Sequence, residues 1–143
     1  MNSQKKKYLI GYTAGVFDLF HVGHLNILRR AKEICEILIV GVNTDELVQE
    51  YKKKTPVIPT TERIAIVESI RYVDKVVPVT SRNKIMAYEK YRFDVLIVGD
   101  DWKGSNHYIT IEEKLAKKGV TVIYVPYTQN TSSTLLRNVL SKI

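Results

Sequence analysis

Three short runs of β-branched and aliphatic residues constrain this chain most: Ile37–Val42 (ILIVGV), Val95–Val98 (VLIV) and Thr121–Val125 (TVIYV). Each is apolar with little alternation, the pattern of a parallel strand covered on both faces. Lys7–Thr13 and Val76–Val79 extend the series to five strands. Helical patterns separate them. Val22, Leu25, Leu28 and Ala31 recur every three residues and predict a helix from Val22 to about Cys35. A second helix is predicted to open at Thr60 and Thr61 after Pro59 and run through Ile66 to Ile70. Lys84–Tyr91, Ile111–Lys118 (closed by Gly119) and Ser132–Leu140 supply three more. Gln49–Pro59, basic and proline-bearing, is predicted to be a mobile loop, and His107 to lie on a surface loop. Strands alternating with helices of this length imply βαβ units, an α/β fold and a mainly parallel sheet.

With 143 residues the chain suits one domain, 1–143, with residues 1–7 as a flexible leader. No apolar run approaches the ~18 residues of a membrane span. The stretch Tyr8-Leu9-Ile10 is too brief for a signal peptide. Both observations predict a cytoplasmic protein with no membrane insertion. The single cysteine, Cys35, excludes an internal disulfide and a cysteine zinc cluster, and is expected at the buried end of a helix. A net charge of +7 calls for anionic partners. Nucleic acid is set aside because no stacking-aromatic motif or zinc finger is present. A polyanionic small substrate remains.

In open parallel sheets ligands sit beyond the carboxyl ends of the strands, so the post-strand segments are where chemistry is expected. The first is Gly15-Val-Phe-Asp-Leu-Phe-His-Val-Gly-His24, in which two of the three histidines flank a glycine at a helix start. Free backbone N–H groups and the helix dipole favour an anion there. Gly23 lets a phosphate approach the backbone. His21 and His24, three apart, share one side of the first turn and can donate to phosphate oxygens. Asp100-Asp101-Trp102 follows the fourth strand: a carboxylate accepts from ribose hydroxyls, and an indole covers a base.

These segments resemble the HxGH signature of the nucleotidyltransferase superfamily, and more closely the cytidylyltransferases typified by glycerol-3-phosphate cytidylyltransferase. Asn43-Thr-Asp45, Glu62-Arg63, Ile70-Arg-Tyr-Val-Asp74 and Val98-Gly-Asp-Asp-Trp-Lys-Gly104 carry the likeness through most of the chain. The resemblance implies a Rossmann-like nucleotidyltransferase fold, CTP and a phosphorylated alcohol as substrates, glycerol 3-phosphate foremost, and a homodimer. It also implies Mg²⁺ bridging the triphosphate, held mainly by the nucleotide and water. His21, His24, Lys54 and Arg63 would be catalytic. Val16, Phe17, Gly23, Lys52, Asp101, Trp102, Thr128, Ser132, Ser133 and Thr134 would bind nucleotide. Asp18, Asp45, Arg71 and Lys84 would face the acceptor.

One segment departs from the family. Where cytidylyltransferases carry Arg-Thr-x-Gly-Ile-Ser-Thr-Thr, this chain has Tyr127-Thr-Gln-Asn-Thr-Ser-Ser-Thr134. Tyr127 cannot offer the bidentate fork of an arginine. Arg137, one helical turn on, is the candidate replacement as a phosphate contact, in a Ser-Ser-Thr-x-x-Arg ending similar to that of some adenylyltransferases. Two readings therefore compete with CMP transfer: an adenylyltransferase using ATP, and a catalytically inactive nucleotide-binding module.

Overall fold

A computed structural model describes residues 8–126 and 133–142. Its elements follow in order as β1 (Tyr8–Gly15), α1 (Val22–Ile34), β2 (Cys35–Asn43), α2 (Asp45–Lys52), α3 (Thr60–Glu68), β3 (Lys75–Val79), α4 (Lys84–Tyr91), β4 (Val95–Gly99), α5 (Asn106–Ala116), β5 (Thr121–Val125) and α6 (Ser133–Leu140). A single 3-10 turn, Asp100–Trp102, follows β4. The five strands form one sheet in the order β3-β2-β1-β4-β5, with every pairing parallel. This is the expected α/β architecture.

Strand alternation sorts the core into two layers. Leu38, Val40 and Val42 of β2, with Val95 and Ile97 of β4, face Leu28 and Ala31 of α1 and Val67 of α3. Ile39, Leu96 and Val98 point the other way, toward Ile111 and Leu115 of α5 and the inner side of α4. Each such aliphatic side chain contributes about 1.5–3 kcal/mol on burial, which is why both faces of β2 and β4 had to be apolar.

The strand order reverses between β1 and β4. β1 pairs with β2 along nearly its full length, as far as Gly15 opposite Val42. With β4 it pairs only at Gly11–Val95 and Tyr12–Leu96. Beyond that point the two strands part, and the Thr13 hydroxyl reaches across to donate to the Ile97 carbonyl at 2.8 Å. The sheet thus opens a crevice at its carboxyl edge, at the switch point where ligands of such folds bind.

Several boundaries differ from expectation. Part of the supposed loop 49–59 is helical. Thr44 caps α2 by accepting from the Leu47 N–H at 3.2 Å, and Lys53 closes it in the left-handed conformation at φ 58°. α5 starts at Asn106, capped by Ser105, so His107 lies in a helical turn and not on a loop. α3 stops at Glu68, short of Ile70. Cys35 caps α1 and is also the first residue of β2, with no loop between them. A Cβ at Gly11 would stand 2.6 Å from the Cys35 sulfur, so the glycine makes room for it. The leader 1–7 lies outside the described residues. No helix among the described residues is long and apolar enough to cross a membrane.

Candidate active site

A cavity of about 390 Å³ occupies the crevice between the ends of β1 and β4. The β1–α1 loop forms one wall under strain. Phe17 and Leu19 both take positive φ, 55° and 50°, a conformation costing side-chain-bearing residues roughly 1–2 kcal/mol each. Phe17 repays it by burying its ring against Phe20 and His24.

The two histidines cap α1 reciprocally. His21 Nδ1 accepts from the Gly23 N–H at 3.0 Å, and His24 Nδ1 accepts from the His21 N–H at 3.2 Å. A nitrogen that accepts from an amide carries no proton, so each neutral imidazole is protonated at Nε2. Burial lowers the His21 pKa. Burial, and then the neighbouring His21, lower that of His24 to about 3 against a weaker opposing pull from Asp18. Both rings are therefore neutral at pH 7, with Nε2–H left to donate. The Gly23 amide, expected to be open to a phosphate, is taken by an imidazole instead.

Lys52 and Lys54 line the cavity. Burial, then Lys54, Arg137 and Arg82, depress the Lys52 pKa. Lys84, at the start of α4, reaches the same cavity from the opposite helix layer, and its pKa falls to about 8 through burial and Arg82. Val16, Phe17, Asp101, Trp102, Ser133 and Thr134 also line it. Burial, then Asp100, raise the Asp101 pKa. The Trp102 ring lies 5.9 Å from that of Tyr108.

Other expected site residues stand elsewhere. Arg63 is fully buried and directs all its donors into the protein. Nε donates to the Ile58 carbonyl at 2.7 Å, and one terminal nitrogen to the carbonyls of Val16 and Asn43, each at 2.7 Å. The other terminal nitrogen reaches Asp45 at 2.6 Å and the Thr60 hydroxyl at 3.2 Å. A guanidinium has five N–H donors, and five acceptors surround this one. Arg63 and Asp45 thus brace the wall behind the cavity instead of facing it.

Asp18 lines the cavity yet is almost fully buried and heavily engaged. Oδ1 accepts from the N–H groups of Leu19 (3.1 Å) and Ile58 (2.9 Å). Oδ2 accepts from the Val57 N–H at 2.8 Å and from Arg137. Its carbonyl accepts from the Ser133 hydroxyl. Asp18 is an anchor for loop and helix, and its carboxylate is already occupied. Arg137 lines the cavity while paired to it. Arg71 is not brought to the site: it is exposed and donates to the Tyr72 hydroxyl at 3.1 Å. Thr128 and Ser132, with Tyr127, Asn130 and Thr131, lie outside the described residues.

Sequence reasoning missed Tyr108, which lines the cavity. Ser105 followed by three polar or aromatic residues is a usable N-cap signal that would have put Tyr108 on a helix.

A strained loop, two neutral imidazoles and convergent lysines at a switch point define a nucleotide-handling α/β protein. The family model described as cytidylyltransferase-like matches residues 12–139. A glycerol-3-phosphate cytidylyltransferase of Bacillus spizizenii is 36% identical over 132 residues, covering 92% of this chain and 96% of the relative. An FAD synthase of Thermococcus kodakarensis is 32% identical, covering 98% of this chain and 95% of the relative. Among solved structures, a lipopolysaccharide core biosynthesis protein of Thermoplasma volcanium superposes with a TM-score of 0.71 at 22% identity, over 87% of this chain and 99% of that one. That likeness establishes the fold. The chain belongs to the cytidylyltransferase-like family, a family of nucleotidyltransferases.

Proposed function

We propose that this chain transfers CMP from CTP to glycerol 3-phosphate, giving CDP-glycerol and pyrophosphate. The carrying observation is the reciprocal histidine cap, which leaves the Nε2–H of His24 beside a cavity walled by Lys52, Lys54 and Lys84, with the His21 ring 4.0 Å from the His24 ring at its edge. A relative named for the same reaction matches nearly the whole chain.

In this reading an oxygen of the acceptor phosphate attacks the α-phosphorus, and the bond from that phosphorus to the bridging oxygen of pyrophosphate breaks. The nucleophile is already an anion at neutral pH, so the protein needs no general base. Its contribution is positioning and electrostatic stabilisation. His21 and His24 donate to the phosphate oxygens, and Lys52 and Lys54 offset charge on the departing pyrophosphate. Asp101 and Trp102 hold the nucleoside, while Lys84 holds the acceptor. Among the described residues no three His, Cys, Asp or Glu side chains group as a metal site. In the same reading Mg²⁺ would accompany the triphosphate as part of the substrate and would neutralise charge there. A homodimer and a cytoplasmic setting belong to the same reading.

The relative named FAD synthase favours a second reading, AMP transfer from ATP. Pyrophosphate release with CTP and ATP, crossed against glycerol 3-phosphate, other phosphorylated alcohols and FMN, separates the two. Turnover is expected with CTP and glycerol 3-phosphate. Turnover confined to ATP would replace this proposal with the second.

A further inference from the structure

Asp101 and Trp102 stand on an exposed turn. Asp100, Asp101, Trp102, Lys103 and Gly104 are all exposed, and Gly104 takes a positive φ of 84°. Inside the turn, the Lys103 N–H donates to the Asp100 carbonyl at 3.1 Å and the Ser105 N–H to the Trp102 carbonyl at 3.2 Å. Those bonds shape the turn without tying it to the sheet. A Cβ on Gly99 would stand 2.7 Å from Asp101 Oδ1, so the carboxylate folds back over the end of β4. A segment this exposed keeps one position where side chains dock it against the fold.

Two adjacent side chains of the turn do this, and both lead to one residue. The Trp102 ring lies 5.9 Å from that of Tyr108, tilted by 52°. Lys103 Nζ lies 5.8 Å from the centroid of the Tyr124 ring. Tyr124, on β5 opposite Val98 of β4, meets Tyr108 edge to face at 6.5 Å, and its hydroxyl donates to Glu112. Tyr108 and Glu112 are four apart on α5 and so share one face of the helix. One tyrosine thus engages α5 at two places, a turn apart, and the β4–α5 turn at a third. Edge-to-face rings and a cation over a ring are favourable contacts with a preferred geometry. Asp101, Trp102 and Tyr108 line the cavity, whereas Lys103, Glu112 and Tyr124 do not.

We infer that Tyr124 is a positioning residue for the nucleoside end of the site: it buttresses Tyr108 and Lys103 from outside the cavity, and so fixes the turn that presents Asp101 and Trp102. The inference rests on the nucleotidyl-transfer reading, in which that turn holds the nucleoside, and adds to it the part that holds the turn. His24 and Lys52 reach the cavity from α1 and α2, and Lys54 from the segment after α2, none of them through β5. Loss of the buttress should therefore weaken nucleotide binding and spare the chemical step. Trp102 is the chain's single tryptophan, so its emission reports the turn directly.

The test compares wild type, Tyr124→Val and Tyr124→Phe by steady-state kinetics with both substrates varied, by Trp102 emission in the free protein, and by thermal melts. Valine suits a strand and removes the ring; phenylalanine keeps the ring and loses the bond to Glu112. Tyr124→Val is expected to raise the CTP KM about 5- to 50-fold, the combined weight of a ring pair and a cation–ring contact. Its kcat and glycerol 3-phosphate KM should stay within about twofold. Its Trp102 emission should shift to the red and be quenched more readily by acrylamide, and Tyr124→Phe should recover most of both effects. Lys103→Gln, an exposed change that leaves the core alone, should raise the CTP KM in wild type and not in Tyr124→Val, as two residues acting through one contact do. If Tyr124→Val failed to fold, an unchanged CTP KM in Lys103→Gln would overturn the inference by itself. An unchanged CTP KM in a folded Tyr124→Val would overturn it, and so would a raised KM with unmoved emission, because the turn would then have stayed in place. Calorimetric titration of CTP and ATP into the same proteins separates this idea from the substrate reading. ATP bound by wild type and weakened by Tyr124→Val would keep the buttress and discard CTP. Wild type that bound neither nucleotide would overturn both.

Discussion

Asparagine at position 21 would keep an acceptor oxygen where the imidazole Nδ1 stands and remove the donor at Nε2. The cap on the Gly23 amide should survive this change, and the phosphate contact should not. His21→Asn is therefore expected to lower kcat on the order of 10²–10³-fold, as for loss of one well-placed donor, with almost no change in melting temperature. His21→Ala should lose the same turnover and in addition about 1 kcal/mol of stability, because it removes the cap. Kinetics and thermal melts of the two variants read these effects independently. Near-normal turnover in the asparagine variant would mean that His21 acts only on the helix. The division of labour between the two ring nitrogens also explains why neutrality matters. A protonated ring would have to give up its cap, since Nδ1 would then be a donor facing another donor.

At the scale of elements, α3 shows how one residue type serves opposite ends. Arg63 points inward with Val67, one turn on, while Arg71 lies past the end of the helix in open solvent. Arg63→Met should destabilise the protein by about 1–3 kcal/mol for each acceptor left without its donor, because it strands the carbonyls of Ile58, Val16 and Asn43, whereas Asp45 is partly exposed. Arg63→Lys should fare little better, since an ammonium cannot fork to five acceptors; urea denaturation would measure both. The strands, α1, α4 and the histidine segment were legible in the sequence because β-branched runs, three-residue spacing and a paired histidine motif are local signals. α2 was not, because only Leu47 and Val48 in it are buried and they are adjacent, too little for a period. The roles of Arg63 and Asp18 were hidden for a different reason. Their partners stand 47 positions away for Val16 and 119 for Arg137, and no local pattern encodes such contacts. The sequence marked these residues as polar and important, and only the fold shows that they face inward.

Asp18 joins three parts of the molecule that the chain keeps far apart: the loop before α1, the 53–59 segment through Val57 and Ile58, and α6 through Arg137 and Ser133. Lys54 rides on the second of these and Thr134 on the third, and both line the cavity. One carboxylate thus sets the positions of two walls together. Asp18→Asn keeps the shape but replaces one acceptor oxygen with a donor, so it should release both walls. Hydrogen exchange at Val57 and through α6 is expected to accelerate roughly 10- to 100-fold, the weight of a charge-assisted hydrogen bond, and the KM for CTP should rise with it. Arg137→Ala removes only the arm from α6. Its exchange should quicken in that helix alone, with Val57 protected as before and a smaller change in KM. If Asp18→Asn loosened α6 and left Val57 untouched, the two walls would be held separately, and the cavity would owe its shape to the arginine brace behind it.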